Sequence, residues 1–203
     1  MDVGLRERKK RETRIALSWA AVRLSVERGV ENVRIEDIAA EANVSVRTFR
    51  NYFANKAEAI AARQLDRALH IADELRARPA DEPLWPAITN AVLTQFALGK
   101  DNGTQTTPDL RWIEGVRLMM TKPTLQGEIC KANAAAQTEL ARAIAERTGT
   151  DADRDLYPAL VAAVVGSASA AVTSHWLAAD PPVPAADLLR EAFGQIAAGL
   201  PTP

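Results

Sequence analysis

The chain has 203 residues, 47% of them hydrophobic, a formal net charge of −1 and one cysteine, Cys130. That length suits one large helical domain or a small domain beside a larger one, and either buries a core without staples. A single cysteine excludes an intrachain disulfide and points to a reducing, cytoplasmic compartment, and basic residues from Arg6 to Arg14 with no apolar run behind them argue against a signal peptide.

In chain order, residues 7–28 carry Ile15, Ala16, Trp19, Ala20, Val22, Leu24 and Val26 close to a 3.6-residue period, which predicts a first helix. Gly29 is suited to end it. "RIEDIAAEA" (34–42) reads as a short second helix with Ile35, Ile38, Ala39 and Ala42 inward and two acids, Glu36 and Asp37, in its first turn. Asn43 tolerates a left-handed turn, and Ser45 is a good N-cap for a third helix over 46–53. A long fourth helix follows over 54–78, with Asn55 placed to cap it. "PADEP" (79–83) is a breaker and the best internal boundary by composition. Five more helices are expected at about 84–98, 108–121, 124–148, 153–179 and 184–200, separated by turn chemistry. No stretch alternates with the period of a strand. The predicted class is all-α: an N-terminal three-helix domain with a helix-turn-helix (1–56), joined by a long helix to a C-terminal helical domain (57–203). The most apolar stretch, 157–172, falls short of a bilayer span and reads as a buried helix, so no membrane partner is expected.

Charge is distributed unevenly. Residues 1–56 hold 12 Lys/Arg against 8 Asp/Glu, and the remainder 13 against 18. A basic head on an acidic body is expected of a chain that meets a polyanion at one end. The stretch "VSVRTFRNYF" (44–53) sharpens this. Val46, Phe49 and Phe53 share one helical face and pack inward. The other face shows Arg47, Thr48, Arg50, Asn51 and Tyr52, with no carboxylate between Val44 and Lys56. Guanidinium forks suit guanine edges or phosphates, amides suit adenine edges, and hydroxyls suit phosphate oxygens. With the preceding helix and turn, this spacing is that of a helix-turn-helix reading double-stranded DNA. The basic segment 6–14 is expected to act as a flexible arm along the backbone or in a minor groove.

"RIEDIAAEANVSVRTFRNYFANKAEAI" resembles the N-terminal module of the TetR family of transcriptional regulators, through Ile38-Ala39, Val44-Ser45, Thr48-Phe49, Tyr52-Phe53 and Lys56. The resemblance covers about residues 10–60. It implies a homodimer on palindromic operator DNA, usually a repressor released by a small molecule. It also implies phosphate contacts from Thr48, Tyr52 and Lys56 and base contacts from Arg47 and Asn51. Ser45 and Val46, opening the third helix, complete the candidate set. Three positions depart from the family pattern, one of them Asn43, which replaces the usual turn Gly at a conformation asparagine tolerates. Arg34 stands where a capping Thr is usual and is free to contact phosphate, and Arg50 stands where an aromatic is usual, adding a possible base contact.

In the C-terminal region Trp85, Phe96, Trp112, Val116, Met119, Met120, His175 and Trp176 are the candidate walls of an effector pocket, since Met and Trp line adaptable apolar cavities. "TKPTLQGEI" (121–129) resembles C-terminal domains of a TetR branch with acyl-CoA-type ligands, which ranks apolar or amphipathic effectors first. The small residues Ala159, Ala162, Ala163, Gly166, Ala170 and Thr173, with Leu188, Leu189, Ala192, Phe193 and Ile196, predict a homodimer through helices 153–179 and 184–200. No metal spacing, phosphate loop or nucleophile motif is present, so neither an enzyme nor a cofactor is expected. The alternative is a helical ligand-binding or scaffold protein that does not read DNA.

Overall fold

A computed structural model describes residues 2–97, 110–179 and 183–202. Among these residues every regular element is helical. They are α1 (Asp2–Arg28), a 3-10 turn (Val30–Asn32), α2 (Ile35–Glu41), α3 (Val46–Arg50), α4 (Lys56–Ala77), α5 (Leu84–Ala97), α6 (Leu110–Thr121), α7 (Pro123–Thr148), α8 (Leu156–Ala178) and α9 (Ala185–Ala197). The predicted loop at 99–107 and part of that at 180–184 lie outside the described residues.

Three local readings change. The segment 6–14 is a continuous helical extension of α1, not a flexible arm: Thr13 Oγ1 donates to the Lys9 carbonyl at 2.9 Å and Arg8 pairs with Glu12 one turn on. Helix α3 ends at Arg50, three residues early, because the backbone tightens into i→i+3 bonds from Asn51 N to Thr48 O (3.1 Å) and Tyr52 N to Phe49 O (2.9 Å). The apolar stretch behind 157–172 belongs to a 23-residue helix, α8, which by length and composition is able to cross a bilayer. Its Val161, Ala162, Val165 and Val172 are instead part of a protein core.

The chain packs as two compact units, Met1–Asp66 with Leu110–Ala132, and Arg67–Asp109 with Asn133–Pro203. Neither the expected division at 56/57 nor the breaker at 79–83 falls on this line. The reason is α4. Its first half buries Ala59, Ile60 and Ala62 in one core, and its second half buries Ala72 and Leu75 in the other. A breaker motif marks where a helix stops, not where a core stops.

In the first unit Leu17 and Ala21 of α1, Ile38 of α2, Phe49 of α3 and Ile60 of α4 are fully buried together with Leu125 of α7. Gly115 lets α6 lie close on α1, since a Cβ there meets Val22 Cγ1 at 3.1 Å. Ser18 Oγ, fully buried, donates to the Ala59 carbonyl at 2.6 Å and ties α1 to α4.

The second unit centres on Leu75, Ile88, Ile144, Ala162, Leu189 and Phe193, with Trp85 stacked obliquely on Phe193. Several residues expected at a dimer face therefore serve this core: Ala162, Leu189 and Phe193 are buried in it, and Leu188, Ala192 and Ile196 pack against it. Helix α9 has one apolar side, which the subunit's own core claims first, whereas α8 is apolar on more than one side and leaves Leu156 and Leu160 exposed. The 79–83 turn is fastened by Arg147, whose guanidinium donates to the carbonyls of Arg78, Pro79 and Glu82. Beside it Glu82 accepts from Arg78 Nε (2.6 Å) and from Asn90 Nδ2 (2.8 Å). Those hydrogen bonds, Arg78's first, and the charges of Arg78 and Arg147 hold the Glu82 carboxyl below the usual carboxylate range. A depressed carboxylate stabilises the fold above its unfolded pKa and loses that contribution as pH falls through the folded value. Glu82→Gln is thus expected to melt below the parent at neutral pH, with the gap closing on acidification. Paired thermal melts across the acid range check this; a gap constant with pH contradicts it.

Candidate nucleic-acid interface

Helix α2 ends by closing a Schellman motif. Val44 N donates to Ala39 O (2.9 Å) and Asn43 N to Ala40 O (3.0 Å), while Asn43 takes φ 53°. Asparagine is among the few residues that adopt this left-handed conformation readily. The chain then turns straight into α3, where Ser45 Oγ accepts from Thr48 N at 3.0 Å and lies 2.8 Å from Thr48 Oγ1. That cap sets the direction in which α3 leaves the turn. Ser45→Ala is expected to cost about 1 kcal/mol of stability, read as a lowered denaturation midpoint; no change contradicts the cap's role.

Two rings seat the helix. Phe49 and Phe53 are 0% and 2% exposed, with centroids 5.8 Å apart at a 53° tilt. Their burial turns Arg47, Arg50 and Asn51 outward, and all three are exposed, as are Arg34 and Ser45. Val46, Thr48, Tyr52 and Lys56 are half-buried, and Tyr52 leans on the core.

Two of the three acids in α2 are paired, and Glu36 stays exposed. Of the acids in α2, Asp37 accepts from Arg34 N at 2.9 Å and lies 3.9 Å from Arg28, and Glu41 pairs with Arg23. No ion pair among the described residues engages Arg34, Arg47 or Arg50. Three cations are left facing solvent beside a carboxylate-free helix. As expected, Arg34 gives no side-chain cap to α2: a guanidinium has no acceptor to offer.

Lys56 is used differently from the sequence reading. Its Nζ donates to Val30 O (2.5 Å) and Val33 O (2.8 Å), clamping the 3-10 turn. The start of α4 is also satisfied internally: Asn55 Oδ1 accepts from Glu58 N (2.8 Å), and Glu58 Oε2 accepts from Ala54 N (2.7 Å). Two of three ammonium donors are thereby committed to the protein.

The eight predicted pocket residues do not gather within one unit. Val116 and Met119 are buried in the first unit, with Met120 on its surface. Trp85 and Trp176 are half-buried and His175 exposed in the second. Phe96 and Trp112 lie on α5 and α6, their side chains outside the described residues. An open cleft of about 400 Å³ in the first unit is lined by Val30, Lys56, Thr124, Leu125 and Glu128 among others, and by none of the eight.

Sequence reasoning missed Arg14. It belongs to the basic segment 6–14, yet it is half-buried and hydrogen-bonded to Asp66. The signal was present: positions 14, 17, 21 and 24 form one helical stripe, and Leu17, Ala21 and Leu24 are buried.

Known proteins resemble the chain over both parts. A family model described as bacterial regulatory proteins, tetR family, matches residues 19–62, and one described as the MftR C-terminal domain matches residues 82–201. The HTH-type transcriptional regulator TcmR of Streptomyces glaucescens is 31% identical over 175 residues, spanning 85% of this chain and 76% of that protein. Among solved structures, the fatty acid degradation regulator FadR from Bacillus halodurans aligns with a TM-score of 0.60 at 17% identity, covering 94% of this chain and 97% of its own. A TetR-family transcriptional regulator candidate from Rhodococcus sp. aligns with a TM-score of 0.57 at 20% identity, covering 94% and 99%.

Proposed function

The chain belongs to the TetR family of transcriptional regulators and is a DNA-binding regulator; from that premise we propose that it is a homodimeric repressor which lays one α3 from each subunit in the major groove of a palindromic operator. The observation that carries this reading is the exposed, acid-free face of Arg47, Arg50 and Asn51, held outward by buried Phe49 and Phe53. Arg47, Arg50 and Asn51 read bases; Arg34, Ser45, Val46, Thr48 and Tyr52 meet the backbone, and Lys56 adds its remaining donor there. The exposed cations Arg6, Arg8, Lys9, Lys10 and Arg11 on α1 supply sequence-independent, salt-sensitive attraction. Selection by the full-length protein from random-sequence duplexes tests the reading: an enriched inverted repeat supports it, and recovery without enrichment refutes it.

For the dimer we take the outer side of α8, where Leu156 and Leu160 are 76% and 53% exposed and Ser167, Ala170 and Ala171 follow on. An exposed apolar stripe flanked by small residues suits close helix pairing with a second copy. The outer side of α9 is polar (Asp187, Arg190, Glu191) and forms the rim. Leu160→Glu is expected to convert a dimer to a monomer in sedimentation at micromolar concentration; an unchanged dimer removes α8 from the interface. The effector is read as a small apolar or amphipathic molecule held in the C-terminal part, with Trp85 and Trp176 as its walls. It lowers DNA affinity by its preference for the state that does not bind. The site of action is the cytoplasm, where the operator is.

A further inference from the structure

Arg14 continues the buried stripe of α1, and its guanidinium carbon lies 5.5 Å from the centre of the Phe53 ring. Its Nη1 donates to Asp66 Oδ1 on α4. Phe53 packs on Phe49, the residue that seats the inner face of α3. Asp66 is also where α4 leaves the first unit, whose N-terminal segment ends at that residue. The other carboxylate oxygen, Oδ2, is buried with no hydrogen-bond partner among the described residues. Arg63, also on α4, lies over the Trp19 ring at 4.2 Å, where burial lowers its pKa against the opposing charge of Asp66.

These contacts form one chain, Asp66 to Arg14 to Phe53 to Phe49. A half-buried carboxylate with one oxygen shut off from solvent leans on the cation hydrogen-bonded to its other oxygen. A guanidinium anchored at one end by a carboxylate has little freedom to leave the ring beneath it. We infer that Arg14 is a positioning residue: pinned by Asp66 and seated on Phe53, it transmits the position of α4 to the recognition helix, and it makes no contact with DNA although it belongs to the basic N-terminal segment. The inference rests on the reading of α3 as that helix.

Salt dependence separates a positioning cation from a phosphate-binding one, because each phosphate neutralised adds about one to the slope of log affinity against log salt. The test uses full-length protein and a duplex selected by the parent from a random library, titrated at several salt concentrations with thermal melts alongside. Asp66→Asn removes the anchoring charge, and Arg14→Met keeps an apolar stem on Phe53. Each is expected to weaken binding about tenfold, the double variant no further than either alone, with the parental salt slope retained. Arg14→Lys keeps the pair and the ring contact, covers the case in which the Met variant fails to fold, and is expected to stay within about twofold of the parent. The inference is overturned if Arg14→Met alone lowers affinity together with the slope while Asp66→Asn binds normally, if the two losses add, or if Arg14→Lys loses as much as Arg14→Met. Arg50→Ala serves as the control: were it also to bind normally, the reading of α3 would fall, and this inference with it.

Discussion

Phe49→Ala is expected to cost about 3–5 kcal/mol and to abolish operator binding with it. Phe49 is 0% exposed at the meeting point of α2, α3 and the first-unit core, and its ring touches Phe53. Truncation removes the ring's transfer free energy and leaves a cavity that α3 fills only by shifting. A domain of ordinary stability has about 5–15 kcal/mol in all, so this one substitution takes a large share. Helix α3 is short and has little intrinsic stability apart from its cap and its two rings. Denaturation followed by circular dichroism, beside duplex titration, measures both losses. A parental melting profile with retained binding contradicts the assignment of Phe49 as the helix's seat.

The opposite pattern is expected on the other face. Arg50→Ala leaves the fold intact, because the side chain is exposed and carries no ion pair among the described residues. It is nonetheless expected to weaken operator binding by about 1–3 kcal/mol if the guanidinium reads a guanine edge with two hydrogen bonds. Discrimination should relax at one base pair of each half-site. Titrations against the selected duplex and single-base variants of it measure this. A uniform loss on all sequences, with a shallower salt slope, assigns Arg50 to a phosphate, and unchanged affinity contradicts the reading of α3 as the recognition helix.

What was legible in the sequence, and what was not, has a physical pattern. Helices, the Asn43 turn, the Ser45 and Asn55 caps and the inward Phe49 and Phe53 follow from short-range rules: periodicity, positive φ and the orphan N–H groups of a helix start. Contacts between distant segments obey no such rule. Nothing local says that Lys56 turns its ammonium onto Val30 and Val33. Nor does spacing say that α4 serves two cores, or that Leu189 and Phe193 belong to the subunit's own interior. Arg14 lies between these cases: the stripe fixes its position, but its charge points to solvent, and only the long-range partner Asp66 explains its place.

The account stands on α3 entering the major groove, and guanine methylation interference tests this most directly, since N7 lies on the major-groove edge. With the selected duplex and full-length protein, N7 methylation is expected to block binding in two clusters about one helical turn apart, roughly 34–36 Å, or a multiple of that. In the Arg50→Ala protein one guanine in each cluster should lose its effect. Interference confined to adenine N3 in the minor groove, or none at any guanine, contradicts the account.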